Sequence, residues 1–395
     1  IPTSPRAMWS FSPPTLASLL LVAARVSALD DAFSSMLQVR AEPVALTQED
    51  LAVQAVTRLN PDMWFKMPPE GRDAKCVGHT YDTSKMPGVA VVIPYLKENV
   101  TLMQRLVGSL VANTPEHLLQ EIMFVDDQNP ANTSYADVLE ALHPKVKVHR
   151  NAERQGLTKA KVTGAESTTA PVIVFMEPHC IANKQWVEPL LERLMASPKL
   201  VAVPVIDSLD EDNTNVYSYL QNPWGGFSWD TGFKWGGTIG SRNHSWRSPD
   251  PFPTPALSGG ILALTREWWE ESGRYDPGMR EWGSENVEMS LRVWRCGGSI
   301  EIVPCSRIGH MFRRARPYSF HGEVALVNEL RLLLVWMPEY MRVTAAGNKG
   351  LAQYLTQVGD LSDRVALRDE LQCKSMDWYM DHVYPELRDD MKTYL

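Results

Sequence analysis

The 395-residue sequence has little cysteine and no excess of positive charge. Its five cysteines include no CxxC pair, so a structural zinc site built from paired thiolates is not expected. The formal net charge is -8 at pH 7. Because nucleic acid binding needs a basic surface, this charge balance indicates that no nucleic acid is a partner.

Several short motifs that would identify common enzyme classes are also absent from the sequence. There is no GxxxxGK[ST] loop and no GxGxxG segment after a predicted strand, which excludes the usual P-loop and dinucleotide-binding proteins. There is no GxSxG elbow, which argues against a serine hydrolase of the α/β-hydrolase type.

A short apolar run, Leu16–Ala24, lies near the N-terminus and is followed by Arg25. The run is short for a membrane span, and Val26-Ser27-Ala28 has small residues where a signal peptidase needs them. We therefore predict a secretory signal at residues 1–29. The alternative is an uncleaved signal anchor, which would attach the protein to a membrane. Glycosylation sequons fit the same compartment and occur at Asn99, Asn132 and Asn243.

The rest of the chain divides by its pattern of apolar residues. With 44% hydrophobic residues it can bury a large core. We predict a stem or N-terminal extension at residues 30–85, with one amphipathic helix at Gln48–Leu59. The main domain is predicted at residues 86–345, and residues 346–395 are expected to form a C-terminal helical extension that packs on it.

Strands and helices alternate from Gly88 onward. The predicted strands are Val89–Ile93, Glu121–Val125, Val146–His149, Val172–Met176, Leu200–Ile206, Ile261–Leu264 and Ser299–Val303. The predicted helices are Glu98–Val111, Leu157–Glu166, Asn183–Met195, Arg266–Ser272, Trp282–Trp294, Glu323–Tyr340 and Asp360–Glu386. This alternation predicts an α/β fold with a Rossmann-like, mostly parallel central sheet flanked by helices. Asp207–Pro255 lacks periodicity and is interpreted as a functional insertion.

Acidic and imidazole side chains follow three of these strands. Glu177 and His179 come after Val172–Met176, where Pro178 ends the strand. By itself this segment also fits an ordinary solvated turn. Asp126-Asp127 and His310 follow two other strands, and ligands of open α/β sheets bind at the carboxyl ends of strands. Such ligands suit Mn²⁺ or Mg²⁺ carrying a nucleoside diphosphate, whose charge could be neutralised by Arg154, Arg313, Arg314 and Arg316.

Three longer motifs resemble one family of glycosyltransferases. They are GGFSWDTGFKW at 225–235, WGSENVEMSLRVWRCGGSIEIVPCSRIGHMFRRARPY at 282–318 and LQCKSMDWYMDHVYPE at 371–386. Together they make the segment from Cys76 to Pro385 similar to the polypeptide N-acetylgalactosaminyltransferases, which start mucin-type O-glycans. The resemblance implies a GT-A fold, a UDP-GalNAc donor, Mn²⁺, Ser or Thr acceptors in proteins, and the Golgi lumen.

The resemblance also implies roles for individual residues. Glu177 and His179 match the family's Asp-x-His metal motif, and His310 matches its third metal ligand. Arg313 and Tyr318 match the loop that closes over UDP. The residues placed near the donor sugar and its leaving group are Trp282 and Glu285, and those that line the sugar pocket are Gly259 and Gly260. The uridine and ribose site is implied at Asp126 or Asp127, with Arg154.

The family's disulfide bridges fall on Cys76–Cys305 and Cys296–Cys373, which leaves Cys180 free. Three departures from the family pattern accompany this match. Glu177 replaces an Asp, Leu96 replaces a His near uracil, and no residues correspond to a C-terminal lectin domain. We therefore expect no remote-site preference through a lectin domain within this chain.

Two alternatives to GalNAc transfer remain open from the sequence. Leu96 and Ser284 alter the surroundings of the donor, so the chain could be a related retaining transferase that uses another UDP-sugar. Glu177 alters the metal motif, so the chain could instead be a weak or inactive homologue that only binds acceptors.

Overall fold

The alternating strands and helices form a central sheet with a hydrophobic core on each face in the computed structural model. The structure describes residues 68, 70–220, 223–236, 248–347 and 350–391. All of these belong to one compact unit, Glu49–Leu395. The predicted signal, the candidate helix at Gln48–Leu59 and the Asn243 sequon lie outside the described residues. The predicted domain boundaries stay predictions.

The described strands vary in length from two to 13 residues. In chain order they are β1 Val89–Tyr95, β2 Leu119–Asp126, β3 Val146–Arg150, β4 Val172–Phe175, β5 Cys180–Ala182, β6 Leu200–Leu209, β7 Tyr217–Ser218, β8 Gly225–Phe227, β9 Phe233–Trp235, β10 Phe252–Pro253, β11 Leu262–Thr265 and β12 Ser299–Met311.

Helices lie between the strands and towards both ends of the described chain. They are α1 Ala74–Gly78, α2 Val100–Asn113, α3 Ala136–Glu140, α4 Leu157–Glu166, α5 Glu188–Ala196, α6 Arg266–Glu271, α7 Glu285–Arg295, α8 Gly322–Trp336, α9 Met341–Gly347, α10 Ser362–Glu370, α11 Met376–His382 and α12 Pro385–Asp390. Short 3-10 helices are Thr83–Lys85, Ala131–Thr133, Pro338–Tyr340 and Leu351–Gln357.

The main sheet has the strand order β10-β12-β6-β11-β4-β1-β2-β3, with β5 paired to β12 and β7 paired to β6. β1, β2, β3 and β4 are parallel neighbours, as are β6 and β12. β11 is antiparallel to both β4 and β6 and joins these two parallel groups. The sheet is therefore mixed, with its longest pairings parallel. β8 and β9 form a separate antiparallel pair.

Successive residues of β1 face opposite sides of the sheet, which explains the two cores. Val92 belongs to the cluster that includes residues of α4, α7 and α8. Val91 and Ile93 belong to the cluster that includes residues of α2 and α5. Because both faces of β1 are covered, its sequence is a continuous apolar run rather than an alternating one.

Several predicted boundaries are wrong. The helix predicted at Asp360–Glu386 is three separate helices, α10, α11 and α12, and the one predicted at Trp282–Trp294 begins at Glu285. Two further boundaries are wrong for a tertiary reason. The helix predicted at Asn183–Met195 begins only at Glu188. Cys180–Ala182 pairs with β12 as strand β5, the N–H of Asn183 still donates to the carbonyl oxygen of Arg307 in β12, and residues 184–187 form the turn that follows. The strand predicted to end at Val303 continues to Met311, because its register against β6 shifts between Val303 and Arg307 and accommodates Pro304.

Both implied disulfide bridges are present. Cys76 is bonded to Cys305 and Cys296 to Cys373, and Cys180 is free and buried. The first bridge fastens α1 to β12, and the second fastens the end of α7 to the segment before α11. Among the described residues, no helix combines the length and apolar character needed to cross a membrane.

Candidate active site

A cavity of about 330 Å³ lies at the carboxyl ends of the central strands. This volume falls within the usual range for small-molecule sites. Most of the predicted site residues line it, namely Asp127, Arg154, Glu177, His179, Trp282, His310, Arg313 and Tyr318. The lining does not include Asp126, Gly259, Gly260 or Glu285. The topology of the sheet thus brings together side chains that are far apart in the sequence.

Glu177, His179 and His310 form a cluster with the geometry of a metal site. One ligand atom from each residue lies within 4.8 Å of the other two. The Glu177 carboxylate contacts Nε2 of His310, and its Oε2 atom lies 3.6 Å from Nε2 of His179. Glu177 and His179 follow β4, whereas His310 lies within β12 rather than after a strand as predicted. β12 therefore extends the third ligand towards the other two.

The charges within this cluster are strongly coupled. Burial raises the pKa of the Glu177 carboxyl, but its pairing with His310 and His179 outweighs burial and holds the pKa well below its usual value. For His179, burial acts to lower the pKa, and hydrogen bonds with Glu177 and Glu98 raise it to about 9. Without a metal the cluster is thus held together by an ion pair.

The donor atoms of this cluster suit a divalent cation. One carboxylate oxygen and two imidazole nitrogens, without any thiolate, match the preferences of Mn²⁺ better than those of a structural zinc site. A metal would take the place of the direct contacts between the Glu177 carboxylate and the two rings. Nδ1 of His310 is buried without a hydrogen-bond partner among the described residues, so the ring is held by its Nε2 side. The residues present therefore fit the predicted metal.

Glu98 also lines the cavity, and the sequence analysis did not assign it a role. Its carboxylate accepts from Nδ1 of His179 at 3.0 Å and from the guanidinium of Arg313. Burial raises the pKa of Glu98, but these partners outweigh burial and lower it. A sequence signal existed, because Glu98 follows the end of β1 just as Asp127 follows the end of β2.

The two adjacent aspartates at the end of β2 have different surroundings. Asp127 lines the cavity and accepts hydrogen bonds from the backbone N–H groups of Gln155 and Gly156, each at 2.8 Å. Asp126 is fully buried and accepts from Arg150 at 2.6 Å, so it supports the strand ends from behind the cavity. Of the two, Asp127 is placed to contact a ligand beside Arg154.

A buried lysine of the cavity lining contacts the predicted sugar pocket. Lys161 is 1% exposed and donates from Nζ to the carbonyl oxygen of Gly259 at 2.7 Å. Burial lowers its pKa, and the ammonium lies 5.4 Å from the ring centroid of Tyr275. Sequence reasoning missed this residue, because a lysine on a helix is usually a solvated surface charge.

Gly260 and Glu285 lie behind the cavity lining. A Cβ atom on Gly260 would lie 3.1 Å from the carboxyl carbon of Glu177, so this glycine leaves room for the metal-ligand candidate. Glu285 is 4% exposed, begins α7, and accepts from the N–H of Gly283 at 2.9 Å. The structure thus places Glu285 in the wall behind the cavity.

The turn before α7 has an unusual backbone. Glu281, Gly283 and Ser284 have φ values of 49°, 115° and 65°. Non-glycine residues rarely adopt positive φ, and such conformations concentrate at functional sites. Trp282 lies within this turn and lines the cavity.

An arginine of the 311–320 segment stacks on Trp282. The guanidinium of Arg316 lies 4.1 Å from the ring centroid of Trp282 and 4.7 Å from that of Phe320. Arg154 donates from Nη2 to the carbonyl oxygen of Ser319 at 3.1 Å. These contacts hold the segment that carries Arg313 and Tyr318 over the cavity.

Two family models match the chain. Residues 90–267 match the model described as glycosyl transferase family 2, and residues 245–315 match the model described as the N-terminal domain of galactosyltransferase. The first match contains Glu177 and His179, and the second contains His310.

Curated relatives match over most of the described chain. Polypeptide N-acetylgalactosaminyltransferase 4 of Caenorhabditis elegans is 39% identical over 82% of this chain and 55% of its own length. Polypeptide N-acetylgalactosaminyltransferase 11 of Xenopus tropicalis is 40% identical over 81% of this chain and 54% of its own length. The chain therefore spans about half the length of these two relatives. Inactive polypeptide N-acetylgalactosaminyltransferase-like protein 5 of Macaca fascicularis is 37% identical over 81% of this chain and 72% of its own length.

A solved structure shares the fold. The crystal structure of GalNAc-T7 with UDP, GalNAc and Mn²⁺ is 27% identical in sequence and matches with a TM-score of 0.73. The match covers 89% of this chain and 68% of that chain. The predicted GT-A fold is confirmed.

Proposed function

This chain belongs to the polypeptide N-acetylgalactosaminyltransferase family, and from this membership we propose that it transfers N-acetylgalactosamine from UDP-GalNAc to Ser or Thr hydroxyls of proteins. The observation that carries the proposal is the cluster of Glu177, His179 and His310 at the carboxyl ends of the strands. In an open α/β sheet this edge is the place where a nucleotide sugar binds.

Glu177, His179 and His310 would hold Mn²⁺. When bound, the metal supplies positive charge to the diphosphate and lowers the energy of the departing UDP. The chain adds positive charge of its own from Arg313, which lines the same cavity. Arg313 Nε is buried and has no hydrogen-bond partner among the described residues, so it remains able to donate to a phosphate oxygen.

The carboxylates that line the cavity bear on how the sugar is transferred. The described lining residues include Glu98, Asp127, Glu177 and Glu281. Glu98 and Asp127 are hydrogen-bonded to side-chain and backbone donors, Glu281 pairs with His321 at 2.8 Å, and Glu177 belongs to the metal cluster. These partners favour a mechanism in which no carboxylate attacks the sugar.

The proposed reaction is therefore a front-face transfer that retains the anomeric configuration. The acceptor hydroxyl attacks the sugar on the face that UDP leaves, and the β-phosphate of UDP takes the hydroxyl proton. Arg313 stabilises the charge that develops on the leaving diphosphate. Glu285 is buried beside Gly259 and Gly260, in the wall behind the cavity. From this wall it would orient the sugar rather than attack it.

Removing the third metal ligand tests the proposal. His310→Ala is expected to abolish Mn²⁺-dependent transfer of GalNAc from UDP-GalNAc to a Ser/Thr peptide, measured as glycopeptide by mass spectrometry. His382→Ala is a matched control, because this exposed histidine lies on α11, outside the cavity lining. Full activity of His310→Ala would refute the metal assignment. A panel of UDP-sugars in the same assay tests the alternative donor.

A second candidate function is donor or acceptor binding without turnover. It is favoured by Glu177, which replaces the family's Asp and contacts His310 directly. The affinity for UDP, measured with and without Mn²⁺, separates the two functions. An enzyme with a working metal site gains affinity for UDP when Mn²⁺ is added, whereas a binder without that site shows no such coupling.

The proposed location is the lumen of the secretory pathway, in the Golgi. Two disulfide bridges fit an oxidising compartment. Attachment to a membrane depends on whether the predicted N-terminal signal is cleaved. Expression of the full chain in cells, followed by sequencing of the mature N-terminus and membrane extraction, decides between a secreted and an anchored protein.

A further inference from the structure

A buried carboxylate at the end of β1 connects the metal cluster to the arginine of the 311–320 segment. The side chain of Glu98 is 3% exposed. It lies directly before Asn99, which caps the start of α2 by accepting from the N–H of Thr101. The start of this helix therefore fixes the position of the Glu98 backbone.

One oxygen of Glu98 orients the second metal-ligand candidate. Oε2 lies 3.0 Å from Nδ1 of His179. Nε2 of the same ring lies 3.6 Å from Oε2 of Glu177. With Nδ1 donating to Glu98, Nε2 is the nitrogen that faces the metal site. A carboxylate behind a histidine ligand commonly fixes the tautomer and the ring orientation in this way.

The other oxygen of Glu98 holds the arginine. Oε1 accepts from the guanidinium of Arg313 and from the backbone N–H of Asn99, the latter at 2.7 Å. The two oxygens of one carboxylate thus have different partners, one in the metal cluster and one in the segment over the cavity. A displacement of either partner must act on the other through Glu98.

We propose that Glu98 is a positioning residue shared by the metal site and Arg313, so that it couples metal binding to the placement of the arginine that faces the donor diphosphate. This inference rests on the proposed function and deepens it. Glu98 is not one of the three candidate metal ligands, and it acts through His179 on one side and Arg313 on the other.

Glu98→Gln tests the metal side of the coupling. The amide keeps the size of the side chain but removes the negative charge that stabilises both partners. Mn²⁺ affinity, measured by electron paramagnetic resonance of free Mn²⁺, is expected to fall about 10- to 100-fold. Glu211→Gln is a matched control, because Glu211 pairs with the neighbouring Arg314 at 2.8 Å and is not part of the metal cluster. Its Mn²⁺ affinity is expected to match wild type.

The coupling between Glu98 and Arg313 is tested by combining Glu98→Gln with Arg313→Met. In the wild-type background, Arg313→Met is expected to weaken UDP binding in calorimetry. In the Glu98→Gln background the same substitution is expected to have a smaller effect, because Arg313 is no longer held in place. Equal effects in both backgrounds would overturn the shared role.

Further outcomes separate this inference from the proposed function. Wild-type Mn²⁺ affinity in folded Glu98→Gln protein would overturn the inference while leaving the function intact. Failure of the wild-type protein itself to bind Mn²⁺ would overturn both. If Glu98→Gln does not fold, as judged by circular dichroism, Glu98→Asp replaces it. That variant keeps the charge but shortens the reach, and it is expected to lose Mn²⁺ affinity in the same assay.

Discussion

Gly260 provides the sharpest test of the metal site, because it lies directly against the Glu177 carboxylate. In Gly260→Ala the added Cβ would lie 3.1 Å from the carboxyl carbon and 3.2 and 3.3 Å from its oxygens. Ordinary contacts of this kind begin at 3.4 Å. The φ angle of Gly260 is not positive, so alanine adds no backbone strain. The carboxylate must therefore retreat by about a few tenths of an ångström.

The size of the effect follows from the sensitivity of catalytic geometry to small displacements. A misplacement of about 1 Å can cost about 100-fold in rate, so a shift of a few tenths is expected to cost about 3- to 10-fold. Mn²⁺ affinity is expected to fall with it, while the unfolding midpoint stays close to wild type. Both are measured on the same preparation, by Mn²⁺ titration and by transfer to a Ser/Thr peptide.

Two further variants make the test specific. Gly78→Ala is the control, because nothing lies within 4 Å of its added Cβ. Glu177→Asp, combined with Gly260→Ala, withdraws the carboxylate from the new methyl group and is expected to recover part of the loss caused by Gly260→Ala. The reasoning is refuted if Gly260→Ala leaves both Mn²⁺ affinity and transfer rate unchanged.

Two other predictions follow from the site. Burial lowers the pKa of His179, but hydrogen bonds with Glu177 and Glu98 outweigh burial and raise it to about 9, so Mn²⁺ must displace a proton below that pH. Mn²⁺ affinity should therefore rise from pH 7 to 9 in titrations, and a flat profile would contradict this. Ser284 has a φ of 65°, so Ser284→Gly should raise the unfolding free energy in urea by about 0.5–1 kcal/mol. Ser197→Gly, where φ is -141°, should lower it instead.

Much of the fold could be predicted because the decisive signals are local. The apolar runs of β1, β2 and β4 and the sequence of α4 identify these elements within one or two residues of their observed ends. Parallel strands in one sheet then imply that their carboxyl ends share an edge. The grouping of Glu177, His179 and His310 was predictable on this basis together with the family motifs, and their role as metal ligands stays a prediction.

The wrong start of the helix after Pro178 and the wrong end of β12 came from pairings between distant parts of the chain. Residues after Pro178 form β5 only because β12 lies beside them, and local periodicity had favoured an early helix start. Pro304 normally ends a strand, and β12 passes through it because β6 supplies partners on both sides of the irregular register. The sequence around Pro178 does not show that β12 will pair with it, and the sequence around Pro304 does not show that β6 will.

By itself, the sequence determined the α/β alternation, the GT-A fold, the family and the residue types at the candidate site. The tertiary structure alone decided which carboxylates face the cavity and which support it. Asp126 and Asp127 are adjacent and identical in type, yet only Asp127 lines the cavity. The side-chain partners of Glu98 are His179 and Arg313, which lie 81 and 215 residues away along the chain. Such contacts depend on how the strand ends assemble, and no local pattern encodes that assembly.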